Sequence, residues 1–115
     1  MNNSLVFELV TSNLTHQQLW DAVKAHKLSN SVNSDIWVVN GCPPHKLSND
    51  DVELTNEWIL PVELQQYDRG SLTLELADQI FAELRCRRII LGIVNDDGTV
   101  VYYFMYKGLH KPKKN

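Results

Sequence analysis

A small mixed α/β domain, a β-sheet flanked by helices and closing in a β-hairpin, is the fold class that this sequence predicts. Three observations predict it. Arg88–Val94 and Thr99–Tyr106 are β-rich runs joined by Asn95-Asp96-Asp97-Gly98, and an Asp-Gly pair suits a tight turn because both residues tolerate positive φ. Ser71–Leu84 carries Leu74, Leu76, Ala77, Ile80, Phe81 and Leu84 on one stripe, the spacing of an amphipathic helix. Asp35–Val39 (Asp-Ile-Trp-Val-Val) reads as a further strand, closed by Asn40-Gly41.

The remaining elements follow in order. Ser4–Asn13 places Leu5, Val6, Leu9 and Val10 on one face of a short helix. Thr15–Lys27 leaves two options: Thr15 with Gln18 has the spacing of a capping box, while Trp20, Ala22 and Val23 suit a strand. Residues 41–57 mix Gly, Pro, Asn and Asp and predict a loop. Trp58–Leu64 is apolar around Pro61, which suggests an edge or bulged strand. Ser71 or Thr73 can cap the following helix.

The 115 residues are 43% hydrophobic, enough for one domain, residues 1–106, to make a core without disulfide or metal. A formal net charge of −3 argues against a binder that holds nucleic acid by bulk charge. The charge is uneven, though. Lys107, Lys111, Lys113 and Lys114 form a basic C-terminal tail, residues 107–115, without an acid. These lysines are candidates for RNA phosphate contact, and equally for a solvated terminus.

Cys42 and Cys86 lack CxxC spacing, which suggests reduced thiols and an intracellular setting. Cys42 and His45 alone make no zinc site, and the other histidines are scattered. The sequence carries no phosphate-binding loop, so neither cofactor nor metal is expected. Met1–Thr11 lacks the basic start of a signal peptide, and no apolar run reaches membrane-span length. Trp20, Trp37 and Trp58 sit among apolar residues and read as core.

On Thr99–Tyr106, Val100, Tyr102, Phe104 and Tyr106 face one way, and Val101, Tyr103 and Met105 the other. A strand apolar on both faces must be covered on both. Either the monomer buries it centrally, or it lies at an edge and pairs with another chain.

Pro43–Asp50 (PPHKLSND), Ser71–Glu75 (SLTLE) and Ile89–Lys114 (IILGIVNDDGTVVYYFMYKGLHKPKK) resemble the smallest structural subunits of yeast tRNA-splicing endonucleases. More broadly they resemble the tRNA-intron endonuclease C-terminal-domain family. The likeness runs from about residue 41 onward. It implies a non-catalytic structural subunit of a heterotetramer that excises introns from precursor tRNA. Its expected partner is the catalytic subunit that cuts the 3′ splice site, with the other catalytic and structural subunits completing the assembly. Pairing is expected through the last strand, Val100, Val101, Tyr102, Tyr103, Phe104, Met105 and Tyr106, and the isolated chain could form a homodimer by the same route. An acidic loop, Asp96 and Asp97, is expected to dock in a basic groove of the catalytic subunit in the opposite pair. The complex is expected in the nucleus or on the cytosolic face of the mitochondrial outer membrane.

Catalytic relatives use Tyr, His and Lys. Where the resemblance places that lysine, this chain reads Leu84-Arg85-Cys86-Arg87-Arg88, and no lysine occurs between Lys46 and Lys107. Arginine keeps the charge but not the compact ammonium. An autonomous metal-free ribonuclease would need His45, Tyr67 and an arginine to converge. A separate tRNA-binding module would rest on the C-terminal lysines.

Overall fold

The computed structural model describes residues 2–28, 36–47, 51 and 55–113, with 109–113 described for their backbone alone. The order is α1 (Phe7–His16), β1 (Asp21–Lys27), β2 (Trp37–Cys42), β3 (Glu57–Glu63), α2 (Leu64–Asp68), α3 (Leu74–Leu84), β4 (Arg88–Val94), β5 (Val100–Tyr106) and β6 (Leu109–Lys113). The strands form one sheet in chain order, β1-β2-β3-β4-β5-β6. Among the described strands only β3 and β4 run parallel, joined through α2 and α3. The expected fold class therefore holds. None of the described helices is long and apolar enough to cross a membrane.

β4 decides the layering. Ile89 to Val94 are all buried, alternating between two cores. Ile89, Leu91 and Ile93 join Leu60, Val62, Ile80, Phe81 and Met105 beneath α3. Ile90 and Val94 join Val10, Leu14, Val39, Ile59 and Phe104 beneath α1. The helix α1 comes in close because Gly92 lies under it: a Cβ there would meet Val10 Cγ1 at 3.4 Å and Ile59 Cγ2 at 3.3 Å. Thr73 caps α3 through its hydroxyl oxygen, which accepts the Leu76 N–H at 3.1 Å.

Several boundaries move from the sequence reading. The first helix starts later and runs on to His16, and Thr15–Lys27 resolves into its end followed by β1. β2 continues through Asn40-Gly41 to Cys42, because those residues still pair with β1 and β3. Asp35, where the sequence reading began this strand, lies outside the described residues.

Two corrections are larger. Trp58–Leu64 is neither edge nor bulge: β3 is interior, flanked by β2 and β4. The proline is tolerated because β2 pairs with β3 only from Val39 to Gly41. Beyond that the fully buried Asn3 side chain stands between the strands. Its Nδ2 donates to the carbonyls of Trp37 at 2.7 Å and Pro61 at 2.8 Å, and its Oδ1 accepts the Trp37 N–H at 2.7 Å. An amide thus replaces the ladder where Pro61 has no N–H to give.

The second correction concerns the C-terminus. Part of the expected basic tail, residues 109–113, is strand β6, which returns antiparallel onto β5 after Gly108 (φ +85°). Val100–Tyr106 is therefore not the last strand. Lys114 lies outside the described residues.

Replacing Asn3 by Ala should cost about 2–3 kcal/mol, since it strands buried Trp37 and Pro61 carbonyls and one N–H. Urea denaturation measures this; a loss below about 0.5 kcal/mol would mean the amide is not the link.

Candidate functional site

β5 is asymmetric along its length. On one side it pairs with all of β4, from Arg88↔Tyr106 to Val94↔Val100. On the other, β6 reaches only Phe104 and Tyr106. Among the described residues, nothing pairs with the outer side of Val100–Tyr103. Burial follows the same gradient: Phe104 is 6% and Met105 1% exposed, whereas Val101 is 38% exposed. Val100, Tyr102, Phe104 and Tyr106 lie on the α1 side, and Val101, Tyr103 and Met105 on the α3 side, as the alternation required.

Tyr102 ties the open stretch to α1. Its hydroxyl donates to Asn13 Oδ1 at 2.6 Å, and burial pushes its pKa well above the ordinary phenol value. Beside it an apolar slot of about 160 Å³ is floored by Ile90, Tyr102 and Phe104, with Leu14, Trp20 and Leu47 as walls. Across the sheet, Tyr103 packs at the margin of the α3 core. Tyr67 is near enough for Tyr103 to raise its phenol pKa, a smaller effect than that of burial.

The β4–β5 turn separates its two acids. The Asn95 carbonyl accepts the Gly98 N–H at 3.0 Å, and the Thr99 carbonyl accepts the Asn95 N–H at 2.8 Å. Asp97 Oδ1 accepts from both the Thr99 hydroxyl (2.7 Å) and its N–H (3.0 Å). Those hydrogen bonds hold the Asp97 carboxyl below the usual aspartate range. The stabilisation is present above the ordinary aspartate pKa and is lost as pH falls through the lowered one. Both acids are exposed, but Asp97 is engaged by Thr99 within the turn.

At the opposite end of the hairpin lies a charged cluster that the sequence reading did not single out. Arg88 bonds Glu57 through Nε (3.2 Å) and Nη2 (2.9 Å), and Asp51 through Nη1 (3.1 Å) and Nη2 (3.2 Å). Its guanidinium lies over the Phe104 ring, 4.7 Å from the centroid. Burial favours loss of its proton, but Glu57 and Asp51 more than offset this, so its pKa is raised. Period-two alternation from Ile90 back to Arg88 was the available signal, because it puts Arg88 on the inward α1 face. Its carboxylate partners, 31 and 37 residues away, left none.

The expected basic contacts divide. Lys107 is exposed, and its N–H donates to the Arg87 carbonyl at 2.8 Å. Lys111 and Lys113 are on β6, and their side chains fall outside the description. His45 is exposed in the loop after β2, at the Glu57 end of β3. Tyr67 lies on α2, after β3 leaves from Glu63 opposite Val94. A seven-residue strand separates those ends, about 20 Å, so the structure does not bring His45 and Tyr67 together. Cys42 and Cys86 are free thiols, and burial pushes the Cys86 pKa up. Among the described residues no group of three His, Cys, Asp or Glu side chains is placed to hold a metal ion. Trp20 is buried, Trp37 stacks on Phe7 at 4.4 Å, and Trp58 packs beside the α3 core, in keeping with structural roles.

The model of the Sen15 protein family matches residues 9–115. The chain is similar to the tRNA-splicing endonuclease subunit SEN15 of Eremothecium gossypii, 47% identical over 109 residues, covering 93% of this chain and 88% of the relative. A shorter likeness, 55% identity over 31 residues, links it to a probable tRNA-splicing endonuclease subunit, tsp-1, of Neurospora crassa; it covers 27% of this chain and 14% of that protein.

Replacing Arg88 by Met should destabilise the fold by about 3 kcal/mol, because Glu57 is left buried without its cation. Adding Glu57→Gln should recover more than half of that loss, as denaturation of both variants will show. Equal stability of the single and double variants would refute the coupling.

Proposed function

The chain belongs to the Sen15 protein family, and from that premise we propose that it is a structural, non-catalytic subunit of a tRNA-splicing endonuclease, docking a catalytic subunit through β5. The observation that carries this reading is the outer side of Val100–Tyr103, unpaired among the described residues, in a strand otherwise built into the sheet. Unpaired backbone groups along an edge accept a strand from another chain. Here they are flanked by exposed Val101 and half-buried Tyr103 on one face, and by the slot beside Tyr102 on the other. A strand added there would cover apolar surface while completing a ladder. Such a contact belongs to the permanent, largely apolar class, above about 2,000 Å² in total.

The partner is the catalytic subunit responsible for the 3′ splice site, and precursor tRNA is the substrate of the intracellular assembly. Asp96 is the better candidate for docking in a basic groove of another subunit, since Asp97 is held by Thr99. Without its partner, the same edge would accept a second copy of the chain. Separation of His45 from Tyr67 weighs against an autonomous ribonuclease, because a base and an acid must reach the same phosphodiester.

Tyr103→Asp should abolish co-purification with the catalytic partner, while circular dichroism retains the helical signal of the isolated chain. Wild-type yield of the pair would refute docking through β5. Purified alone and mixed with intron-bearing precursor tRNA, the chain should give no cleavage; intron release under those conditions would overturn the non-catalytic reading.

A further inference from the structure

At the α3–β4 junction the chain turns abruptly and gathers its cations. Arg85 caps α3 in the left-handed region (φ 53°), its N–H donating to the Phe81 carbonyl at 2.8 Å. Glycine is the usual residue there, because a side chain in this conformation strains the backbone. Arg85 and Arg87 line a hollow of about 300 Å³ whose wall includes Trp58 and Cys86. Lys107 is bonded to the Arg87 backbone, and its charge is felt at the Cys86 thiol.

Arg88 shares the hollow but is already engaged by Glu57 and Asp51. Among the described residues, no carboxylate is recorded against the guanidinium of Arg85 or Arg87, and both residues are exposed. In a chain of net charge −3, a hollow lined by two exposed arginines, with exposed Lys107 beside it and its one lining carboxylate, Glu57, bound to Arg88, matches a polyanion. Guanidinium forks suit phosphate oxygens.

We propose that Arg85, Arg87 and Lys107 form a phosphate-backbone site for single-stranded RNA, on the α3 side of the sheet end. The site is separate from the open stretch of β5: Val100–Tyr103 lies toward the turn end of the hairpin, and Lys107 follows its other end. RNA rests on the subunit reading above only as the natural polyanion, since the geometry itself requires phosphates. The competing role for these arginines, offsetting the C-terminal dipole of α3, makes the opposite prediction for stability.

Binding of a fluorescein-labelled 12-nucleotide RNA to the full chain, followed by anisotropy between 50 and 200 mM KCl, tests this. Arg85→Gly suits the left-handed backbone, so the Arg85→Gly/Arg87→Gln variant should keep or gain thermal stability. It should nevertheless bind the RNA about tenfold more weakly at 50 mM, and its slope of log affinity against log salt should shrink by about 1.4, for two lost contacts. Arg87→Lys should keep the wild-type slope. Three results would overturn the proposal: no salt-dependent binding by the wild-type chain, an unchanged slope in the double variant, or displacement by a poly-glutamate peptide as efficient as by unlabelled RNA. The last would assign the hollow to an acidic protein segment. The assay contains no other subunit, so its failure leaves docking through β5 untouched, and failure of that docking leaves this site untouched.

Discussion

Burial of β4 on both faces is the constraint from which the rest of the structure follows. Six consecutive residues, Ile89 to Val94, are withdrawn from water, so the sheet needs cover above and below. α3 supplies one layer, and its route from β3 to β4 makes that pair parallel. α1 supplies the other, and Gly92 lets it approach. Two substantial helices cannot cover six strands evenly. Cover is complete over β3 and β4 and thins toward the sides. It is there, on β5, that apolar side chains stay half-exposed.

Where helices do not reach, single polar side chains close the sheet. Asn3 bridges β2 and β3 where the ladder parts, and its carbonyl also accepts the Val6 and Phe7 N–H groups that begin α1. One residue thus sets both the start of the helix and the spacing of the strands beneath it. Arg88 performs a comparable task at the other end, holding Asp51 and Glu57 against Phe104. Such links lose far more when one partner is removed than they contribute net, because the survivor remains buried.

The difference between these local and distant links explains what could be read in advance. The hairpin was legible to within one residue, since alternation and Asp97-Gly98 are local signals; Thr99, read as the start of the second strand, precedes β5. The α3 stripe was equally local, and Thr73 was one of the two caps it offered. Pro61 misled, because the feature that rescues it, Asn3, is 58 residues away and carries no motif. The terminal strand misled for another reason. Its lysines and proline look like a solvated tail, yet they are also what a protective edge strand is made of. Of the candidate site, the apolar faces of Val100–Tyr106 were visible, and the half-length of its exposure was not. Nothing in a sequence reports how far β6 climbs.

That half-length narrows the proposed docking. Had β5 been open along its whole outer side, any flat apolar strand could have added to it, including many wrong ones. With β6 occupying Phe104 and Tyr106, the stretch left unpaired among the described residues is four residues long and ends where β6 begins to pair. An incoming strand must therefore be short, must approach from the turn end of the hairpin, and must tolerate Val101 on one face and the slot beside Tyr102 on the other. Specificity arises from restricting the edge as much as from the contacts it offers. The same partial closure separates two surfaces of different chemistry, apolar toward the turn and cationic around Lys107. A subunit built this way can hold a protein at one end of the hairpin and leave the other end facing a polyanion.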